Sequence, residues 1–423
     1  MKRVAIVGAG ISGLAFAYYL QKRCPDWSIT FMEQERCVGG WLKTCKIGAL
    51  SYEKGPRFFA RHKSPHLLSL IEEMGLEKRL VYAASPRTRF VYQENKLFPL
   101  PNSLFHFLRS PLTKHTFMTC LQEWWQKKEN LPEETVHAFF LRRFRSEKIA
   151  RLVAVMAKGI YAADTRHLSM RLSFPALYKA EQEKGSLLQA FFSSPRQDRR
   201  LFTLEGGMGE LSSSLQKRIK ATWHFGVRVE KVQGKVLTTG RGAFEADLIV
   251  LALPLSSIKR LLSHPAWNFL PTHPLHVVHM AFRESCVPVQ GFGYLTGVGE
   301  ATPILGAVFD GKMYPQRGEK ITMFLGGDAH PELSICPEEK LHALALQGLR
   351  EHLGITQRPE WIACVKGEEA GVAYRVGHEQ HVRSILQSLP SHTLLLGNYL
   401  EGVSVDHCIK RAVDQVERAY ALL

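Results

Sequence analysis

Three glycines near the start of the chain have the spacing of a nucleotide-binding loop. The segment VAIVGAGISGLAFAYYL places Gly8, Gly10 and Gly13 between a short apolar run and a stretch with helical spacing. The first glycine allows a tight turn, the second lets the backbone approach a pyrophosphate, and the third lets the helix pack closely on the strand. The N-terminus of that helix would face the phosphates with its partial positive charge. The spacing therefore predicts a dinucleotide site.

An acidic residue supports the same interpretation. Glu33 ends the second apolar run, SITFME, twenty residues after Gly13. A carboxylate at the end of that strand accepts hydrogen bonds from ribose hydroxyls. The glycine pattern alone is weak evidence, but a strand–helix–strand context with a terminal acid favours a dinucleotide over ordinary packing. NAD and FAD both fit this part of the chain.

Two later motifs favour FAD. The segment EQERCVGGWLKT contains the pair Gly39 and Gly40, and a tandem glycine after the acid is typical of FAD proteins of the amine-oxidase type. The segment YEKGPRFF follows, in which Gly55, Pro56 and Arg57 form a rigid turn that ends in a cation. Because the motifs occur in this order after Glu33, FAD is the predicted cofactor.

The elements that must position these motifs alternate between strands and helices. The first 34 residues predict strand, helix and strand of a parallel sheet. Residues 100–195 are rich in aromatic and basic residues at helical spacing, strand patterns return at 223–253 and 270–330, and a helix is predicted at 337–354. We therefore expect a mixed α/β fold, with a Rossmann-type FAD-binding domain, an interwoven β-rich substrate domain and an α-helical insertion.

A chain of 423 residues is longer than a single hydrophobic core usually accommodates, so more than one domain is expected. The FAD-binding domain is assigned residues 1–88, 199–256 and 376–423. Residues 89–198 are predicted to form a helical insertion and residues 257–375 a β-rich substrate domain.

Composition excludes several other classes of protein. No apolar run approaches the roughly 20 residues of a membrane span, and the chain opens directly on a strand, so a cytoplasmic location is expected. Eight scattered cysteines without a CxxC motif predict reduced thiols and no metal site, and Cys408 is expected to be a packing thiol. The net charge of +16 is dispersed and no nucleic-acid-binding module is visible, so no nucleic acid partner is expected.

Longer segments carry a specific resemblance. They run nearly from end to end of the chain: GGW, KGPR, RFVYQENKLFPLP, GIYAADTRHLSMRLSFPAL, EGGMGEL, PVQGFGYL, ILGAVFD and YLEGVSVDHCI. In this order they resemble the protoporphyrinogen oxidase family of amine-oxidase-like flavoproteins. The resemblance implies an extended FAD, with its pyrophosphate at the N-terminal glycines and its ring near the C-terminal EGVSV turn.

The resemblance also implies site residues. Arg89 would bind a propionate, and Phe292 and Leu295 would sandwich a pyrrole ring; a surface arginine and a core phenylalanine are the alternatives. Val229 would contact adenine through its backbone, unless it is an ordinary core residue. The implied FAD-binding residues are Gly8, Ala9, Gly10, Ile11, Ser12, Gly13, Glu33, Gly40, Trp41, Gly55, Pro56, Arg57, Phe58, Val229, Val403, Ser404 and Val405.

The implied activity is the six-electron oxidation of protoporphyrinogen IX to protoporphyrin IX through three hydride transfers to flavin N5, with oxygen or a quinone as acceptor. No dedicated acid–base residue is required. Coproporphyrinogen III is the alternative substrate. A carotenoid desaturase, an amine oxidase and a non-enzymatic escort of prenylated GTPases remain as alternatives, although the intact nucleotide motif disfavours the last.

The helical insertion matches the membrane-associating part of the resembled family. LFHFLRSPLTKHTF and EWWQKK combine aromatic and basic residues, which suits peripheral binding to anionic lipid. The alternative is that these aromatic residues form the core of the insertion. The expected oligomeric state is a monomer or a homodimer.

Overall fold

The computed structural model describes residues 1–48, 50–84, 88–101, 104–193 and 197–423. The first elements are β1 Arg3–Val7, α1 Ile11–Arg23, β2 Ser28–Glu33, β3 Thr44–Ile47, β4 Leu50–Glu53, β5 Phe59–Ala60, α2 Pro65–Glu73 and β6 Leu80–Tyr82. They are followed by β7 Arg89–Gln93, β8 Lys96–Pro99, α3 Leu104–Arg109, α4 Phe117–Glu123, α5 Val136–Phe144, α6 Glu147–Tyr161, α7 Met170–Ser173, α8 Pro175–Lys184 and α9 Leu187–Ser193.

The second half begins with β9 Leu201–Leu204, α10 Gly209–Arg218, β10 Thr222–Phe225, β11 Val229–Gln233, β12 Val236–Thr239, β13 Gly242–Glu245, β14 Leu248–Leu251 and α11 Leu255–Leu261. It continues with β15 Thr272–His273, β16 Leu275–Phe282, β17 Gly293–Thr296, β18 Ile304–Val308, α12 Asp310–Met313, β19 Glu319–Gly326, α13 Glu338–Leu353, β20 Trp361–Val365, β21 Gly371–Val372, α14 His378–Ser388, β22 Thr393–Leu395 and α15 Val405–Leu422.

The chain divides into two compact units, each built from separated segments. The first unit contains residues 1–83, 197–269 and 379–423, and the second contains residues 84–196 and 270–378. The domain roles given above stay predictions. One local expectation was wrong, because residues 89–99 form the strand pair β7 and β8 rather than the start of a helical insertion.

A five-stranded parallel sheet organises the first unit. Its strand order is β10–β2–β1–β14–β22, and every neighbouring pair is parallel. Helices cover the sheet, so the central strands are apolar on both faces, and Ile6, Leu14, Phe31 and Ile409 share one core. The carboxyl ends of these strands meet at one edge, which is where ligands bind in such sheets. The Rossmann-type part of the expected mixed α/β fold is therefore confirmed.

A seven-stranded sheet organises the second unit. Its order is β20–β16–β19–β18–β17–β7–β8, in which β17 and β7 form the parallel pair. Helix α13 packs on one face, where Tyr294, Met323 and Leu349 belong to a single core. The alternating strand pattern predicted for 270–330 is therefore confirmed.

The helices between residues 104 and 193 are joined by buried charges. Arg143 is paired with Glu123 and also contacts Glu181, while Arg142 bonds Glu134 at 2.9 Å and Glu181 at 2.8 Å. Buried ions are tolerated only when each finds a partner of opposite charge, so this network fixes the helices against one another. Among the described residues, no helix has both the length and the apolar composition needed to cross a membrane.

Candidate functional site

The glycine loop between β1 and α1 is closely packed at two of its three glycines. Gly8 has a φ of +99°, and a Cβ added there would lie 2.3 Å from the carbonyl oxygen of Ala252. A Cβ on Gly13 would lie 2.3 Å from the carbonyl oxygen of Gly8. Real Cβ atoms do not approach backbone oxygens so closely, so both positions require glycine.

Gly10 differs from its two neighbours in having open space above it. A Cβ added there would have no atom of the described chain within 4 Å. Gly10 also occupies the N-cap position of α1, and no described side chain caps this helix. The first backbone N–H groups, including those of Ile11 and Ser12, therefore remain available to an anion.

The carboxylate of Glu33 ties this loop to the end of β2. Its Oε2 accepts a hydrogen bond from the Ala9 N–H at 2.7 Å, and its Oε1 accepts one from the Glu35 N–H at 2.8 Å. A carboxylate offers about four lone-pair sites, so two stay available for hydroxyl groups of a ligand. The ligand role of Glu33 stays a prediction, and sequence reasoning missed its bond to the loop.

A cavity of about 230 Å³ adjoins the end of β2. Val229, at the start of β11, contributes to its wall beside Arg228. The remaining lining residues are Val7, Met32, Gln34, Val227, Glu230, Leu253, Ser257, Arg260 and Leu261. The mixture of apolar walls and polar groups suits an aromatic base with an attached sugar. The residues around the glycine loop thus fit a dinucleotide. Sequence reasoning missed Gln34 and Arg260, although Gln34 directly follows the acidic residue.

The second glycine motif lies against the first. Gly39 donates its N–H to the carbonyl oxygen of Ala9 at 2.8 Å, and a Cβ on Gly40 would lie 3.2 Å from the Cα of Gly10. A Cβ on Gly55 would lie 2.7 Å from the carbonyl oxygen of Trp41. The tandem glycines and the Gly-Pro-Arg turn are therefore brought together around the loop by close backbone approach.

Two predicted cofactor residues follow Pro56 in the Gly-Pro-Arg turn. The Arg57 guanidinium lies 5.5 Å from the ring centroid of Phe58, which is within the range of a cation–π contact. Trp41 is exposed, and the ammonium of Lys54 lies 5.4 Å from its ring centroid. The turn therefore presents aromatic and cationic groups on one short segment.

The C-terminal turn leads from β22 to α15. Helix α15 begins at Val405, directly after Val403 and Ser404, and the Ser404 Oγ accepts a hydrogen bond from the His407 N–H at 3.1 Å. One of the free N–H groups at this helix start is thereby satisfied, while others remain for a ligand. The buried Asp406, which sequence reasoning missed, accepts the Leu67 N–H at 2.8 Å and so caps α2.

The first and last helices of the chain pack together. Burial raises the pKa of the Cys408 thiol to about 11, and a hydrogen bond from the Ser12 side chain opposes that change. Cys408 is a free, buried cysteine, and a thiol with a raised pKa is a poor nucleophile, which supports the expected packing role. In the described part of the chain, no group of His, Cys, Asp or Glu side chains could hold a metal ion.

The three predicted substrate residues lie together in the second unit. Arg89 begins β7 opposite Gly293 of β17, and its guanidinium carbon lies 5.1 Å from the ring centroid of Phe292. The Phe292 N–H donates to the Thr88 carbonyl at 2.7 Å. Arg89 is exposed overall, while the protein atoms around its guanidinium lower its pKa by desolvation. Its guanidinium still stays cationic at neutral pH.

Leu295 completes this group on β17. It pairs with Val91, which lies two residues beyond Arg89 on β7. Because side chains alternate along a strand, Leu295 and Arg89 therefore leave the sheet on the same face, opposite the buried Tyr294. The structure therefore places a cation over an aromatic ring at the start of β17, with an aliphatic side chain further along the same strand, where a ligand with a carboxylate and a flat apolar ring system could bind.

Comparison with known proteins gives relatives over nearly the full length. Human protoporphyrinogen oxidase is 28% identical, over 97% of this chain and 96% of the relative. Coproporphyrinogen III oxidase of Bacillus subtilis is 24% identical, over 100% of this chain and 98% of the relative. A solved structure from Exiguobacterium, provisionally assigned as a protoporphyrinogen oxidase, has a TM-score of 0.87 at 24% identity and covers 98% of both chains.

The family model for flavin containing amine oxidoreductases matches residues 11–419. The solved structure of cyclohexylamine oxidase from Brevibacterium oxydans has the same fold, with a TM-score of 0.71 at 16% identity, over 100% of this chain and 98% of the other. The predicted FAD cofactor and the oxidoreductase class are thereby confirmed. The chain belongs to the family of flavin-containing amine oxidoreductases.

Proposed function

We propose that the protein oxidises protoporphyrinogen IX to protoporphyrin IX in porphyrin biosynthesis, with FAD as cofactor and oxygen or a quinone as electron acceptor. The observation that carries the proposal is the group of Arg89, Phe292 and Leu295, in which the cation lies 5.1 Å from an aromatic ring. Relatives named protoporphyrinogen oxidase that match nearly the whole chain support it.

The residues of the chain have separate tasks in this reaction. Bound flavin supplies a hydride acceptor at its N5 atom. The glycine loop and the open start of α1 bind the pyrophosphate, and Glu33 binds a ribose hydroxyl. In the second unit Arg89 binds a substrate propionate, because a guanidinium matches a carboxylate with two parallel hydrogen bonds.

Phe292 and Leu295 hold one pyrrole ring and exclude water. The pyrrole nitrogens of the substrate delocalise the positive charge left by each hydride loss, and a proton then leaves the macrocycle to solvent. The protein therefore needs to orient the macrocycle rather than supply an acid–base pair. We assign Val403, Ser404 and Val405 to the polar edge of the flavin, where the start of α15 would stabilise negative charge on the reduced ring.

Anaerobic incubation with porphyrinogens tests the proposal. Protoporphyrinogen IX should bleach the flavin absorbance and produce porphyrin fluorescence, and coproporphyrinogen III is the alternative substrate to compare by kcat/KM. Arg89→Ala and Phe292→Ala should slow bleaching while keeping a full complement of FAD. A flavin that neither porphyrinogen bleaches faster than buffer would refute the function, and loss of FAD in either variant would refute the site.

We also propose peripheral binding to the cytoplasmic face of an anionic membrane, with a monomeric or homodimeric protein. Exposed aromatic residues support it, since Trp125 is 76% exposed and Phe105 is 56% exposed, and the Arg109 guanidinium lies 4.1 Å from the Phe105 ring centroid. Interfacial binding uses this combination of aromatic and basic residues. Wild type should co-sediment with anionic vesicles at low salt, and Trp125→Glu should not. Equal sedimentation of the two proteins would contradict the assignment.

A further inference from the structure

Helix α6 approaches strand β17 at a glycine. A Cβ added to Gly159 would lie 2.7 Å from Cδ2 and 2.9 Å from Cδ1 of Leu295. Any larger residue there would displace the leucine, so the absence of a side chain lets the helix lie directly beside Leu295. The helix is therefore adjacent to the group that binds substrate in the proposed function.

Two apolar side chains flank that contact and are not covered. Met156 lies three residues before Gly159 and four before Ile160, so its side chain neighbours both positions on the surface of α6. Met156 is 44% exposed and Ile160 is 55% exposed, whereas Ile149, Val155 and Ala157 of the same helix are buried. We call Met156, Gly159 and Ile160 the α6 stripe.

The stripe lies against the face of the sheet that carries Leu295 and Arg89. Leu295 points toward Gly159, and alternation along the paired strands β7 and β17 puts Arg89 on that same face. The opposite face is the one packed by Tyr294 and the α13 core. On this face the sheet thus offers Leu295, the helix offers Met156 and Ile160, and Arg89, whose guanidinium lies over Phe292, supplies the charge.

We propose, on the basis of the proposed function, that Met156 and Ile160 form a second apolar wall for the porphyrinogen and select it by the charge of its peripheral groups. An ionised carboxylate loses its water beside an apolar wall and gains no partner there, whereas a vinyl group loses nothing. The wall therefore favours a dicarboxylate macrocycle with vinyl groups over a tetracarboxylate macrocycle.

Substitution with lysine tests the wall. Ile160→Lys and Met156→Lys should each raise the ratio of kcat/KM for coproporphyrinogen III to that for protoporphyrinogen IX, on the order of tenfold, because an ammonium now faces the additional carboxylates. Ile335→Lys is the matched control, since Ile335 is 89% exposed in the same unit and lies outside α6. It should leave the ratio unchanged.

The readouts separate this inference from the function on which it rests. FAD content and thermal unfolding establish whether each variant is folded. If a lysine variant does not fold, Ile160→Gln replaces it, and this variant should lower kcat/KM for protoporphyrinogen IX alone. If folded lysine variants keep the wild-type ratio of kcat/KM values for the two porphyrinogens, the second wall is overturned. The same holds if these variants keep that ratio but bind vesicles less well, a result that would place the α6 stripe at the membrane. Failure of wild type with both porphyrinogens would instead overturn the proposed function.

Discussion

Replacing Gly10 with alanine should weaken FAD binding without destabilising the apoprotein. Gly10 has φ −75° and ψ 177°, a conformation that alanine adopts readily, and its added Cβ would meet no described atom within 4 Å. The smaller conformational freedom of the unfolded chain should even stabilise the variant by about 0.4–1 kcal/mol. The new methyl group, however, occupies the space that the pyrophosphate needs.

The loss of affinity can be estimated from the contacts that the methyl group blocks. A hydrogen bond between a backbone N–H and a charged phosphate contributes about 1.5–3 kcal/mol. Loss of one such bond corresponds to a reduction in FAD affinity of roughly 10- to 150-fold.

Gly13→Ala is the matched comparison within the same loop. Its Cβ would lie 2.3 Å from the Gly8 carbonyl oxygen and 3.2 Å from the Ala252 Cβ. Alanine gains about 1 kcal/mol in helix propensity, but a backbone clash of this size exceeds that gain. We expect the free energy of unfolding of the apoprotein to fall by about 1–3 kcal/mol.

Two measurements separate the variants. Denaturant unfolding of the apoproteins gives stability, and quenching of flavin fluorescence during titration gives FAD affinity. Gly10→Ala should change the affinity and keep the stability, whereas Gly13→Ala should lose stability. Wild-type affinity in Gly10→Ala, or equal destabilisation of both variants, would refute the role of the open space above Gly10.

Three further predictions concern other residues. Arg89→Lys should lower kcat/KM for porphyrinogen roughly 10- to 100-fold, because lysine cannot bind a carboxylate with two parallel bonds, and unchanged kinetics would contradict this. Asp406→Ala should lower the free energy of unfolding by about 1–2 kcal/mol, since the Leu67 N–H loses its acceptor, while Asp406→Asn should lose less. Burial raises the pKa of Cys408 from 9.0 to about 11, so the contribution of the protonated thiol to the free energy of unfolding is complete below pH 9.0. As pH rises to about 11, the protein should lose up to about 3 kcal/mol of stability. Alkaline unfolding of Cys408→Ala should lack this loss.

Much of the local structure could be predicted from the sequence. The second strand was placed at SITFME and is Ser28–Glu33, and the helix expected at 337–354 is Glu338–Leu353. Strand β7 was assigned to a helical insertion instead. Its parallel partner β17 lies about two hundred residues away in the sequence, and the short apolar run RFVYQ does not by itself distinguish a strand from a helix.

The sequence by itself determined the nucleotide loop, because the glycine positions and Glu33 act through the conformations and neighbours of one short segment. The tertiary structure alone decided that Asp406 caps α2, that Arg89 lies over Phe292, and that Gly159 meets Leu295. Each of these contacts joins segments far apart in the chain. Their meeting depends on strand register and helix packing, which follow from burying the two cores and leave no periodic pattern in the sequence.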